Sequence, residues 1–204
     1  MNSGPLLFFG VFLTLASSFW GLILAPQLQI GQQKSIATEG PGQFYPSARS
    51  GQARQGAEVY RSLGCVECHS QQVRGLGSDL ARGWGRRISV AQDYLYDQPV
   101  LIGNLRLGPD LANLGTRLPD ANWHLSHLFD PHVIVAGSPM PRYPFLFDKE
   151  PENARFPSPG ALPMGTRRFR LVPKPEAHAL VAYLLILRSD LPLFEAPIPR
   201  PATN

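Results

Sequence analysis

The sequence has few cysteines, few charges and no concentrated block of basic residues. Among its 204 residues are two cysteines, Cys65 and Cys68, so at most one disulfide can form and a small disulfide-stapled domain is excluded. Charged residues make up 17% and hydrophobic residues 44%, which excludes a disordered polyelectrolyte. The net charge of +4 comes from scattered arginines, whereas a nucleic-acid-binding protein usually concentrates its charge on one face. Composition therefore predicts a globular chain that binds no nucleic acid.

Proline and glycine are in excess. The chain has 21 prolines and 19 glycines, about a fifth of all residues. This share stays below the roughly 25–30% that is typical of low-complexity disorder, so it indicates a loop-rich fold.

The first 33 residues carry no charged side chain, and Lys34 is the first. Residues 5–25 form an apolar run of 21 residues. As a helix it would be about 31 Å long at about 1.5 Å per residue, close to the thickness of a bilayer's hydrocarbon core. A cleaved signal peptide is disfavoured because no Lys or Arg precedes the run and because the run exceeds the usual ~7–15 residues. We predict that residues 1–33 are an anchor embedded in membrane lipid.

Two helices are predicted to bracket the domain that follows. Residues 34–51 are polar and rich in Gly, Ser and Pro, as expected of a linker. Apolar side chains recur at helical spacing in residues 52–63 and 175–189. These patterns place a helix near each end of a domain that covers residues 52–190.

The stretch between these helices is unusually rich in proline. Residues 131–175 contain ten prolines, so we expect an extended insertion with neither regular helix nor a central strand. Four more prolines predict an irregular tail over residues 191–204.

A Cys-Val-Glu-Cys-His motif begins at Cys65 and is typical of c-type haem attachment. Thiols three residues apart share one turn and can add to the two vinyl groups on one porphyrin edge, and the His69 imidazole can then bind the iron. A zinc site would need two further ligands, for which His124 and His127 are a possible pair. A redox site would need a βαβ context, which the sequence does not indicate. We therefore predict one covalent haem c held by Cys65, Cys68 and His69.

The helices on either side of this motif predict the fold. A helix before the motif and an apolar helix at the domain's end resemble the class I cytochrome c fold, whose terminal helices cross near a glycine and an aromatic. We expect Gly56, Tyr60 and Tyr183 at this crossing. The predicted class is mostly α: a class I cytochrome c domain with long Pro/Gly-rich loops, plus one N-terminal transmembrane helix.

The second axial ligand of the iron has more than one candidate in the sequence. Met140 is held between two prolines, and Met164 lies twelve residues before Glu176 in the predicted C-terminal helix. Either thioether would raise the haem potential. On the residues alone the two are equal candidates. A histidine ligand is the alternative, from His124, His127 or His132.

Other residues are predicted to support the haem. Gly108-Pro109-Asp110-Leu111 resembles the G-P-x-L segment of class I cytochromes, in which the proline carbonyl accepts the second N–H of the proximal histidine. We assign that role to Pro109. The candidate partners for the haem propionates are Arg106, Arg117, Trp84 and Tyr94.

Several motifs between residues 56 and 147 resemble one family. They are Gly-Cys-Val-Glu-Cys-His-Ser-Gln from Gly64, Tyr-Asp-Gln-Pro from Tyr96, Arg-Leu-Gly-Pro-Asp-Leu-Ala from Arg106, Trp-His-Leu-Ser-His-Leu from Trp123, and Ser-Pro-Met-Pro-Arg-Tyr-Pro from Ser138. Together they resemble the membrane-anchored monohaem cytochrome c subunit (O subunit, subunit II) of the C-family, cbb-type haem–copper cytochrome c oxidases.

This resemblance implies a set of ligands, partners and a location. It implies Met140 as the distal ligand, and a calcium ion near the subunit boundary for which Ser138 is a candidate. The partners would be the catalytic haem–copper subunit, a dihaem cytochrome c subunit, and a soluble or membrane cytochrome c as electron donor. The haem domain would face the periplasm from the bacterial inner membrane, and pass electrons on for the reduction of oxygen to water.

Three other functions share parts of this pattern. The cytochrome c subunit of a nitric oxide reductase has the same layout of anchor and haem, although Ser70-Gln71 after the haem motif favours the oxidase. A free-standing membrane-anchored electron shuttle would need no enzyme partner. A haem-based sensor would have an open or easily displaced distal site.

Overall fold

The computed structural model describes residues 3–38, 40, 42–75, 78–153, 155, 158–163 and 169–199. The chain divides into two compact units. The first comprises Met1–Ser47 and Ala91–Leu95, and the second comprises Ala48–Val90 and Tyr96–Asn204. The fold is mostly helical with one N-terminal apolar helix, which confirms the predicted class.

The first unit contains one long apolar helix. It runs through α1 (Gly4–Phe19), a π-helical turn (Trp20–Leu24) and α2 (Ala25–Gln29), 26 residues that include an 18-residue stretch with a mean hydropathy of 2.0. Pro26 has no N–H to offer the carbonyl of Leu22, so the widened turn directly before it is where the helical bonding pattern is expected to change. The helix is long and apolar enough to cross a bilayer, and it fits the predicted membrane anchor.

A short hairpin lies within the segment predicted as a linker. β1 (Ile36–Ala37) pairs antiparallel with β2 (Phe44–Tyr45). The Tyr45 hydroxyl donates a hydrogen bond to Asp93 Oδ1, 2.6 Å away, in a 3₁₀ turn at Ala91–Tyr94. Strands of two residues are too short to leave an alternating pattern, which is why the composition indicated only a linker.

The second unit is built on two crossing helices, α3 (Gly51–Ser62) and α8 (Pro175–Ile186). The Ser50 hydroxyl caps α3 by accepting a hydrogen bond from the Ala53 N–H at 3.3 Å. Pro175 begins α8, where its missing N–H costs nothing. α3 begins and ends one residue before its predicted bounds, and α8 begins at its predicted first residue and ends three residues early.

The helix crossing confirms the three residues expected there. A Cβ atom on Gly56 would lie 1.9 Å from the carbonyl oxygen of Ala179, so only glycine lets the two backbones approach this closely. The rings of Tyr60 and Tyr183 lie beside this point with centroids 5.4 Å apart. The Tyr183 hydroxyl also donates a hydrogen bond to Gln71 Oε1 at 2.9 Å.

Gly56→Ala is expected to destabilise the protein by about 1–3 kcal/mol, because the added methyl group must push the two helices apart. Gly51→Ala is the matched control, since its Cβ meets nothing within 4 Å and the change should be neutral or gain up to about 1 kcal/mol. Denaturant unfolding of the purified chain in detergent measures both. Equal stability of the two variants would contradict the close crossing.

Short helices and turns complete the second unit. They are a 3₁₀ turn at Cys65–Glu67, α4 (Ser78–Ala81), α5 (Leu114–Arg117), α6 (Ala121–Phe129), α7 (Pro131–Ile134) and a 3₁₀ turn at Pro144–Leu146. The core that they share with α3 and α8 includes Leu101, Leu111, Leu125, Leu128, Phe129, Leu180 and Leu184.

The proline-rich stretch contains a small sheet. β3 (Phe147–Pro151), β4 (Leu162–Pro163) and β5 (Phe169–Pro173) form an antiparallel sheet in the order β3-β5-β4. The prediction that residues 131–175 contain neither regular helix nor a central strand is therefore wrong. β5 is a central strand, and α7 is a helical turn.

The positions of the prolines explain this correction. Pro151, Pro163 and Pro173 are each the last residue of a strand, and Pro131 is the first residue of α7. At the end of a strand or in the first turn of a helix, a residue without an N–H interrupts few or no hydrogen bonds. Proline content alone does not distinguish these positions from a loop.

Candidate haem site

The two cysteines lie on one tight turn directly after α3. Gly64 has a left-handed φ of 72°, which ends the helix and starts the 3₁₀ turn at Cys65–Glu67. The Cys68 and His69 N–H groups both donate hydrogen bonds to the carbonyl of Cys65, at 3.2 and 3.0 Å. The motif is therefore compact, and its spacing suits attachment to one edge of a porphyrin.

Both cysteines are free thiols. Cys65 is buried and Cys68 is half-buried. Burial raises the pKa of the Cys65 thiol to about 11, so it is protonated at neutral pH. A pair of cysteine side chains on one turn, next to an imidazole, is the donor set that covalent haem requires, and these residues fit that group.

The His69 ring is fixed from behind by the backbone. Its Nδ1 lies 2.8 Å from the Pro109 carbonyl oxygen, which leaves Nε2 free as a metal ligand. Burial lowers the pKa of His69, although the hydrogen bond to Pro109 acts in the opposite direction. A Cβ atom on Gly108 would lie 2.3 Å from His69 Cε1, so glycine is needed for this approach.

The loop that carries Met140 is brought to the cysteine motif. The Tyr143 N–H donates a hydrogen bond to the Leu128 carbonyl at 2.9 Å, which ties the loop to the end of α6. The Tyr143 side chain is close enough to the Cys65 thiol to act to lower its pKa, against the larger effect of burial. Met140 is half-buried and packs against the hydrophobic core. The loop thus carries a thioether near the cysteine turn.

Met164 and Ser138 are two other residues with a predicted metal-binding role. Met164 lies outside the described residues. The Ser138 hydroxyl accepts a hydrogen bond from the Met140 N–H at 3.3 Å, and its role toward calcium stays a prediction. Within the described ranges, no group of three or more His, Cys, Asp or Glu side chains is placed to hold a metal ion.

Arg106 is held by protein oxygens on three sides. Its Nε donates to Ser70 Oγ at 2.8 Å, its Nη1 to Asp79 Oδ1 at 2.6 Å, and its Nη2 to the Gln72 carbonyl at 2.5 Å. Its guanidinium carbon also lies 5.5 Å from the centroid of the half-buried Trp84 ring. The predicted roles of Arg106 and Trp84 toward haem propionates stay predictions, and the structure adds a role in holding the loop after the haem motif.

The remaining propionate candidates are Arg117 and Tyr94. Arg117 Nη2 donates a hydrogen bond to the carbonyl of Asp110. Tyr94 lies in the 3₁₀ turn that belongs to the first compact unit.

Sequence reasoning missed the two buried carboxylates of this region, Asp79 and Asp110. Asp110 Oδ2 accepts hydrogen bonds from Ser70 Oγ at 2.6 Å and from the Gln72 N–H at 2.8 Å. Burial would raise the pKa of Asp79, but hydrogen bonds from Arg106 and from the Arg74 N–H outweigh it and hold the pKa below its ordinary value. The position of Asp110 could have been inferred from the sequence, because it directly follows Pro109, which is assigned to the haem site.

A protein-family model described as "Cytochrome C oxidase, mono-heme subunit/FixO" matches residues 8–159. The match covers about three-quarters of the chain, including the apolar helix, the cysteine motif and the Met140 loop. No curated protein matches the chain.

Proposed function

The chain belongs to the mono-haem subunit (FixO) family of cytochrome c oxidases, and from this premise we propose how its residues serve electron transfer. The proposed group is one haem c, covalently attached through Cys65 and Cys68. His69 and Met140 would bind its iron. The chain passes single electrons to the catalytic haem–copper subunit, which reduces oxygen to water. Its own residues break no bond in oxygen.

One observation carries this proposal: a turn with two thiols is followed directly by an imidazole that Pro109 orients. The hydrogen bond from His69 Nδ1 to the Pro109 carbonyl fixes both the tautomer and the ring plane. When bound, the haem supplies an iron that takes up and releases one electron. Ligation by a histidine and a methionine raises its potential, which suits a carrier at the oxidising end of a respiratory chain.

The proposed location and partners follow from the anchor and the family. The apolar helix of 26 residues holds the chain in the bacterial inner membrane, and the haem domain faces the periplasm. Electrons arrive from a dihaem cytochrome c subunit or from a soluble or membrane cytochrome c. A calcium ion near the subunit boundary, with Ser138 as one ligand, is part of this proposal.

Purification of the chain from membranes in mild detergent tests the proposed function. The expected result is a complex that contains haem b and copper beside this chain's haem c, and that consumes oxygen with reduced cytochrome c. Isolation of the chain alone, without haem b, would favour a free-standing shuttle. A complex that reduces nitric oxide and not oxygen would place the chain with nitric oxide reductases.

Met140→Ala is expected to abolish the low-spin spectrum of the haem, because alanine offers no sulfur to the iron. Absorbance spectra of the oxidised and reduced chain measure this, and carbon monoxide should then bind the reduced variant. Met164→Ala is the matched control and should keep the wild-type spectrum. A change in Met164→Ala alone would show that Met140 is not the ligand. Carbon monoxide binding to the unaltered reduced chain would favour a sensor.

A further inference from the structure

His127, on α6, has a buried nitrogen that the rest of the site does not use. Its Nδ1 has no hydrogen-bond partner in the part of the chain that the structure describes. Its ring is stacked on Trp123, with centroids 4.8 Å apart and ring planes 11° from parallel. The imidazole therefore has a defined orientation but an unsatisfied polar atom, an arrangement that folded proteins rarely leave without a reason.

The neighbouring histidine on the same helix shows the contrast. His124 is buried, and its Nε2 donates a hydrogen bond to the Leu118 carbonyl at 2.8 Å. Trp123 meets the His124 ring edge-on, with centroids 5.1 Å apart. His124 thus has a complete structural role within the protein, whereas His127 lacks a partner for Nδ1.

Two observations connect His127 to the proposed haem site. Burial lowers the pKa of His127, and His124 and His69 each lower it further, so its ring is within electrostatic range of His69. In addition, the adjacent Leu128 carbonyl holds the Met140 loop through the Tyr143 N–H. A neutral imidazole carries one N–H, and it can offer this N–H to an acceptor that is added to the site.

We propose that His127 is a positioning residue of the haem site, whose Nδ1–H donates a hydrogen bond to an acceptor present only when haem is bound. Two acceptors have the required chemistry: the Met140 sulfur once it is an axial ligand, and a haem carboxylate. This inference rests on the proposed function. A hydrogen bond to the sulfur would withdraw electron density from a ligand of the iron, and one to the carboxylate would offset its negative charge. Either would stabilise the reduced state.

The test compares His127→Phe with the unaltered protein in the purified full-length chain. Phenylalanine keeps a flat ring for stacking on Trp123 but removes the N–H. The expected result is a lower midpoint potential in a redox titration of the haem, at unchanged covalent haem content. His178→Phe is the matched control, because His178 is an exposed histidine on α8. The haem in this variant should have the same midpoint potential as in the unaltered protein.

The absorbance spectrum of the oxidised variant identifies the acceptor. A shift of the sulfur-to-iron charge-transfer band together with the potential assigns the Met140 sulfur, and a lower potential with an unchanged band assigns the carboxylate. A potential equal to that of the His178→Phe control overturns the proposal. Loss of the low-spin spectrum in His127→Phe also overturns it, since His127 would then be an axial ligand.

If His127→Phe does not accumulate in the membrane, a second pair of variants tests the same proposal. His127→Gln keeps a donor and should have a potential closer to the unaltered protein than His127→Leu has. Equal potentials in this pair overturn the proposal. An unaltered chain without covalent haem would instead refute the proposed function, so the two failures are distinguishable.

Discussion

Replacing Cys65 and Cys68 together by serine is expected to abolish covalent haem attachment and, with it, the oxygen consumption of the purified complex. Serine hydroxyls do not form the thioether bonds that join a porphyrin to the chain. Without these bonds, the His69 and Met140 contacts would have to retain the haem alone. Peroxidase staining for haem after denaturing electrophoresis measures the effect, and the expected signal at the position of this chain is zero.

The single variants are the controls for this experiment. Cys65→Ser and Cys68→Ser each leave one thiol, so some covalent haem should remain at reduced yield. Cys65 is buried within the hydrophobic core whereas Cys68 is half-buried, so Cys65→Ser is expected to cost more stability. Covalent haem on the double variant would refute the assignment of the motif.

Asp79→Asn is expected to destabilise the protein by about 3–5 kcal/mol, because it breaks a buried ion pair by removing one partner. The Asp79 side chain is fully buried and that of Arg106 is 16% exposed, so water cannot compensate the guanidinium well. Arg106 would keep a longer contact to Asp110 Oδ2 at 3.5 Å. Denaturant unfolding of the purified chain in detergent measures the loss.

Asp148→Asn is the matched control for this substitution. The Asp148 side chain is 70% exposed, and it lies 3.5 Å from Lys174 Nζ, so this surface pair should contribute at most about 1 kcal/mol. If Asp79→Asn were as stable as Asp148→Asn, the buried pair would not hold the loop after the haem motif.

The difference between the unaltered protein and Asp79→Asn should depend on pH. The folded protein holds the pKa of Asp79 below its ordinary value of 3.8, so this carboxylate contributes stability above that pH. The contribution is lost as the pH falls through the lower pKa of the folded state. Unfolding curves measured from neutral to acidic pH should therefore converge below about pH 4. Curves that stay parallel would contradict the depressed pKa.

Local patterns were enough to predict the elements that frame the site. The bounds of α3 and α8 follow from apolar spacing. The crossing at Gly56 was expected from the resemblance to the class I cytochrome c fold, and the structure shows it. The cysteine motif could be identified because its thiols and imidazole lie within five consecutive residues. The helix bounds and the motif need no contact between distant parts of the chain, whereas the crossing joins α3 to α8.

The sheet in the proline-rich stretch was mispredicted because composition does not reveal the position of a proline within an element. Pro151, Pro163 and Pro173 are all tolerated at strand ends, where they interrupt few hydrogen bonds. Pairing of β3 with β5 also joins residues about twenty positions apart. Such register is decided by side-chain packing and not by local propensity.

The sequence by itself determined the apolar helix, the two crossing helices and the turn that presents Cys65, Cys68 and His69, since each depends on residues that are close along the chain. Only the tertiary structure decided which distant groups complete the site. It pairs Asp79 with Arg106 across 27 positions, and it leaves Nδ1 of His127 buried near His69. The physical reason is that the partner of a buried charge or polar group depends on how separate loops pack together, and one sequence without its fold does not specify that.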